Sequence, residues 1–158
     1  MSLSSTAVAP RLVLALALVG IACGSTAPAR VSYTAALTGA RETPSNTSSA
    51  TGTATLNVDG STLSYTVFAS GFATPLVVGH IHIGGAGVAG PVIVPFTLLA
   101  ASGTVTQGTV DLSRSVSYNT LSISGDSLRI LMDAGQTYVN LHTAAYPGGE
   151  IRGQIVRQ

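Results

Sequence analysis

Three histidines occur in this chain of 158 residues, and their placement invites chemistry. His80 and His82 stand one residue apart in "GHIHIGGAGVAGP", residues 79–91, and His142 lies in "TYVNLHT". Neutral imidazole is a ligand for copper, zinc and nickel. In an extended strand, residues i and i+2 share a face with Cα atoms roughly 6.5 Å apart, so His80 and His82 can reach one ion. His142 supplies a third ligand if its strand lies beside or opposite theirs. The same residues have a second use. His80 and His82 can be sheet-face residues bonded to carbonyls of the Gly-rich loop, with His142, Glu150 and Arg152 forming a polar network that locks a final hairpin. Residue types alone are compatible with both.

The elements that must position these side chains are strands. From Val31 onward apolar residues recur with a period of two, not 3.6. "VSYTAALTG" alternates, and "TATLNVDGSTLSYTVFASG" predicts a hairpin turning at Asp59-Gly60 in a type I′ geometry. "LVVGHIHIG", "PVIVPFTL", "GTVTQGTVDL", "TYVNLHT" and "GEIRGQIVRQ" add further strands. "GDSLRILMDAG" predicts one short helix near 126–134, capped by Asp126 and ended by a left-handed Gly135, with Leu128, Leu131 and Met132 as its apolar stripe. About seven short strands with turn signals between them predict an all-β fold, an antiparallel β-sandwich, with a closed barrel as the alternative.

Alternation then assigns faces. Ile81, Ile83, Val139 and Leu141 point to the core, leaving His80 and His82 on one outer face and Tyr138, Asn140 and His142 on another. Pro147-Gly148 predicts a type II turn with positive φ at Gly148. The strand after it sends Ile151 and Ile155 inward and leaves Glu150, Arg152 and Gln154 on the histidine side, where Glu150 and Arg152 can pair. Glu150 or Asn140 can then orient a ligand from behind.

The first thirty residues read as an address. Arg11 followed by the apolar run Leu12–Cys23 has the form of a secretory signal peptide, residues 1–22. Cys23, the sole cysteine, matches a lipid-attachment residue, and "GSTAPAR" after it a short tether, so residues 23–30 are anchor and linker and 31–158 the domain. Gly20 stands where the lipoprotein pattern has an aliphatic residue, so plain cleavage after Ala22 or Ala29 is the alternative. The expected location is therefore the cell envelope as a membrane-anchored lipoprotein, or periplasmic or secreted.

Composition excludes several classes. Charged residues are 8% of the chain, against about 25% in ordinary soluble domains, and every one of the seven cations is arginine. Without Arg11 six cations face six acidic residues, so no basic patch for nucleic acid emerges. No Gly-x-Ser-x-Gly elbow occurs, and no helix follows "IGGAGVAGP" to hold a pyrophosphate.

Two stretches together carry a family pattern. "GHIHIGGAGVAGPVIVPF" and "YVNLHTAAYPGGEIRGQI" closely resemble the CHRD domain, the chordin-type module found in bacterial exported proteins, and "SSATGTATLNVDGSTLSYTV" fits its first half. The resemblance covers residues 31–157 and implies an immunoglobulin-like or copper-zinc superoxide-dismutase-like sandwich. Fold is better implied than activity. Growth-factor binding is not carried over, because the cysteine-rich modules associated with it are absent. The His-x-His strand is similar to the copper strand of those dismutases, which makes copper the preferred ion and zinc the second. Three histidines cannot furnish a copper set plus a bridged zinc set, so dismutase activity is not expected. The expected function is an exported, non-enzymatic metal-binding module with ligands His80, His82 and His142. The alternative is an adhesion or interaction module for an envelope or extracellular protein, its histidines structural.

Overall fold

The computed structural model describes Met1 and residues 30–158; the expected signal segment and Cys23 lie outside the described residues. Strand β1 (Val31–Thr38) leads through a 3₁₀ turn (Gly39–Arg41) and a loop into the hairpin β2 (Thr51–Asp59) and β3 (Thr62–Ser70). Then come β4 (Leu76–Ile83), β5 (Val92–Pro95) and β6 (Gly103–Asp111). A small hairpin, β7 (Ser115–Tyr118) and β8 (Leu121–Ser124), precedes helix α1 (Gly125–Asp133). Strands β9 (Thr137–Thr143), β10 (Ile151–Gln154) and β11 (Val156–Arg157) follow.

Nine strands form one antiparallel sheet in the order β5-β4-β9-β10-β1-β2-β3-β6, with β11 also on β1. The sheet curls so that its aliphatic face packs on itself in a sandwich-like fold. Tyr33, Leu37, Leu56, Leu63, Ile81, Val139, Leu141 and Ile151 are fully buried there, all at the alternate positions that a period of two assigns. The two end strands are brought near each other without pairing as a ladder. Leu99 N–H donates to Val105 O (2.8 Å) and Thr106 Oγ1 to Thr97 O (2.8 Å), tying the segment after β5 to β6. Phe96 stacks on Tyr65 across the same gap, ring centroids 4.8 Å apart.

Several local expectations need correction. The β2–β3 register pairs Asp59 with Thr62, so the loop is Gly60-Ser61. Gly60 alone has positive φ there (56°), the pattern of a type II′ turn, not I′. The helix begins at Gly125, so Ser124 caps it, accepting from Ser127 N (3.0 Å), and Asp126 sits inside the first turn. A carboxylate there suits the positive end of the helix dipole. Gly135 does close the helix in the left-handed region (φ 64°). Hairpin β7–β8 was not expected at all; Asn119, at φ 51°, makes its turn.

Candidate metal centre

The histidine strand β4 lies between β5 and β9, and β9 lies between β4 and β10. Register sets His80 opposite Asn140, His82 opposite Tyr138 and Val78 opposite His142. The face that alternation leaves outside the aliphatic core is therefore a polar layer spread over three neighbouring strands. It is not a solvent face. His80 and His82 are 9% and 8% exposed, Asn140 and Tyr138 are buried, and His142 is partly buried.

The three imidazoles converge. Ring centroids of His80 and His142 are 5.2 Å apart, of His80 and His82 5.3 Å, and of His82 and His142 6.2 Å. One nitrogen from each lies within 4.8 Å of the others, a group that could hold a metal ion. Closing by about an ångström would bring each nitrogen to the ~2.0–2.1 Å bonds of a zinc–imidazole site.

Two rings have their tautomer fixed by the backbone. His82 Nδ1 is 2.9 Å from Gly90 O, and His142 Nδ1 is 3.0 Å from Pro147 O. A carbonyl only accepts, so each Nδ1 carries the proton and each Nε2 keeps its lone pair. Both Nε2 atoms, and Nδ1 of His80, are buried with no hydrogen-bond partner. Burial penalises the charged form of every ring and holds all three below the usual imidazole range. For His80, burial and then the neighbouring His142 and His82 bring the pKa to about 4. All three are thus neutral near pH 7, the state a metal ligand requires.

The ring of His82 is held from behind by an aromatic column. Tyr138 stacks on it at 4.7 Å and 9°, and the Arg152 guanidinium carbon lies 3.4 Å from the Tyr138 ring centroid. Tyr138 Oη accepts from Gly90 N (3.0 Å), the residue whose carbonyl holds His82. Gly90 has no room for a side chain, since a Cβ would meet Ile83 O at 1.7 Å.

The other residues expected behind the ligands have different partners. Asn140 Nδ2 donates to Glu42 Oε2 (3.2 Å). Glu150 receives hydrogen bonds from Ser48 Oγ (2.6 Å) and from Thr143 Oγ1. Thr143 shares a face with Val139 and Leu141, so Glu150 sits at the end of the aliphatic core, away from the histidine layer. Glu150 and Arg152 form no ion pair; Arg152 bonds Gly85 O (2.8 Å) and Thr43 Oγ1 (3.4 Å) instead. The turn is also different: Gly149 N donates to Tyr146 O, but Gly148 has no positive φ, and Gly149 takes it (130°).

The family model of the CHRD domain matches residues 33–155. The chain belongs to the CHRD-domain family. No curated protein and no solved structure matches it. The match runs from within β1 through β10, so the histidine layer lies within this CHRD domain.

Three contributors to that layer escaped the sequence reading of this CHRD domain. Tyr118, from β7, faces His80 with ring centroids 6.3 Å apart. Gly90 was one glycine among many in a loop. Glu42 comes from beyond β1, and burial raises its pKa to about 7. Glu42 Oε1 and Asn140 Oδ1 are both buried without partners and both face the bare Cα of Gly149. A proton on Glu42 would let the carboxyl donate to Asn140 Oδ1 while still accepting from Asn140 Nδ2.

Proposed function

We propose that this CHRD domain is an exported, non-enzymatic module that binds one transition-metal ion, copper before zinc, through His80, His82 and His142. The observation that supports it is a cluster of three histidines with one nitrogen of each within 4.8 Å of the others, in which every ring also has a buried nitrogen without a hydrogen-bond partner. Desolvating a polar atom and leaving it unpaired costs about 1–3 kcal/mol. A purely structural role explains the Nδ1 contacts of His82 and His142 but not three such costs within one cluster. A bound ion offsets all of them together.

Copper is preferred because imidazole binds it most tightly among the divalent first-row metals, and because three neutral nitrogens leave a position open for a further ligand. Export is supported by the apolar run after Arg11, with Cys23 as the residue that would carry lipid. On this reading the domain works at the envelope, for copper storage, delivery or sensing.

Calorimetric titration of the purified protein with copper and with zinc tests the metal. The expected result is one ion per chain, lost in His82→Ala. Binding indistinguishable from that of the triple alanine variant at positions 80, 82 and 142 removes the proposal. Intact mass of the protein recovered from membranes tests the anchor: acylated Cys23 is expected, and an N-terminus at residue 23 or 30 without lipid removes it.

A further inference from the structure

Arg152 is 2% exposed, and among the described residues no carboxylate oxygen lies within 4.0 Å of it. Its hydrogen bonds and stacking contact are all neutral (Gly85 O, Thr43 Oγ1 and the Tyr138 ring), and Glu42, whose carboxyl Arg152 pulls downward in pKa against the effect of burial, acts on it only across a gap. Taking a guanidinium out of water costs several kcal/mol, and buried arginines are ordinarily matched by an anion. This one also borders open space. A pocket of about 310 Å³ lies between the Glu42 loop, the Gly-rich loop and β10, lined by Arg41, Glu42, Thr43, Gly87, Arg152 and Gln154 among others. That volume is at the lower end of those that hold small ligands.

We infer that this pocket binds a small carboxylate, with Arg152 as its buried anchor and Arg41 as a second cation at its lip. The anchor contributes one charge from the interior, while Arg41 is exposed and already donates to Ala36 O. The pocket also holds Glu42, whose carboxyl would repel a doubly charged anion. A monoanion fits this balance, and a planar carboxylate matches the fork of guanidinium N–H groups. The pocket shares no lining residue with the histidine cluster and meets its surroundings through the Tyr138 ring and the Asn140–Glu42 contact.

The test uses the full chain freed of metal, so that it stands whether or not the histidines bind an ion. Acetate is titrated while the backbone amides of residues 85–87 and the Arg152 side-chain N–H are followed by NMR. Saturable shifts confined to these groups are expected, with dissociation in the millimolar range that about four non-hydrogen atoms can support. Arg41→Gln should weaken binding about tenfold, and Arg152→Gln should abolish it. Sulfate and inorganic phosphate should bind more weakly than acetate. If acetate gives no saturable shift, or if phosphate binds at least as well, the inference fails. Should Arg152→Gln not fold, the Arg41→Gln titration decides: unchanged acetate affinity overturns the assignment of the lip.

Discussion

The Tyr138 ring lies flat against that of His82, and its hydroxyl takes the N–H of Gly90, whose carbonyl in turn holds His82. One tyrosine therefore sets both the plane and the tautomer of a candidate ligand. Tyr138→Phe keeps the stack and takes the partner from the half-buried Gly90 N–H, for an expected loss of about 1 kcal/mol. Tyr138→Ala also opens a cavity and should cost roughly 3–5 kcal/mol. Urea unfolding separates the two. Native stability in Tyr138→Phe would show that the hydroxyl contributes nothing.

Metal should stabilise the domain by mass action. At a free copper concentration one hundred times the dissociation constant, the expected gain is about 2.7 kcal/mol. Unfolding midpoints measured with and without chelator check this. No shift in the native protein, or an equal shift in His82→Ala, would contradict the three-histidine site.

Acid should weaken the metal-free protein through its histidines. Unfolded imidazole takes a proton near 6.5, whereas folded His80 resists until about 4, so between these values the unfolded chain binds more protons and stability falls as pH drops. Glu42 acts the other way. Its carboxyl, near 4.5 when unfolded and about 7 when folded, gives the folded state more protons across that window, so its contribution falls as pH rises. The two partly cancel. Glu42→Gln removes the opposing part, and its stability should fall more steeply than the native protein's between pH 6.5 and 4.5. A slope equal to or shallower than native, from urea midpoints at a series of pH values, would show that Glu42 is not held protonated.

Adjacent glycines should respond in opposite ways. Gly148 has no atom within 4 Å of a built Cβ and no positive φ, so Gly148→Ala should change stability by less than about 0.5 kcal/mol. Gly149, at φ 130°, would press a Cβ against Glu42 Oε1 at 2.6 Å, and Gly149→Ala should destabilise by more than about 1 kcal/mol. Thermal melts of the pair check the turn; the reverse ranking would restore a type II geometry.

Period-two alternation made much of this legible. It separated Ile81, Val139 and Leu141 from the histidine face without reference to any fold, because a strand cannot present neighbours on one side. It could not say that the outer face would be covered, since that depends on loops folding back over it. Glu42 illustrates the loss: it is far from β9 in sequence and meets Asn140 only through the pairing of β1 with β10 and of β10 with β9. Hairpin β7–β8 was missed because "SVSYNTLSIS" offers only four apolar positions and a turn at Asn119 without glycine. The side of the sheet taken by Glu150 was misread because the residue lies just before β10, where strand alternation does not yet apply.

Strand β9 is threaded between an earlier neighbour and a later one, and that ordering has a consequence for assembly. A growing chain carries His80 and His82 long before the segment that bears His142 exists, and even then β9 waits for residues 151–154 to flank it. Pairings so distant along the backbone form late and slowly. A cation arriving during synthesis would meet two imidazoles on an unfinished polypeptide, not a site. On the proposed reading, loading would follow completion of the fold, and a bound ion would be a certificate that the last strands have docked.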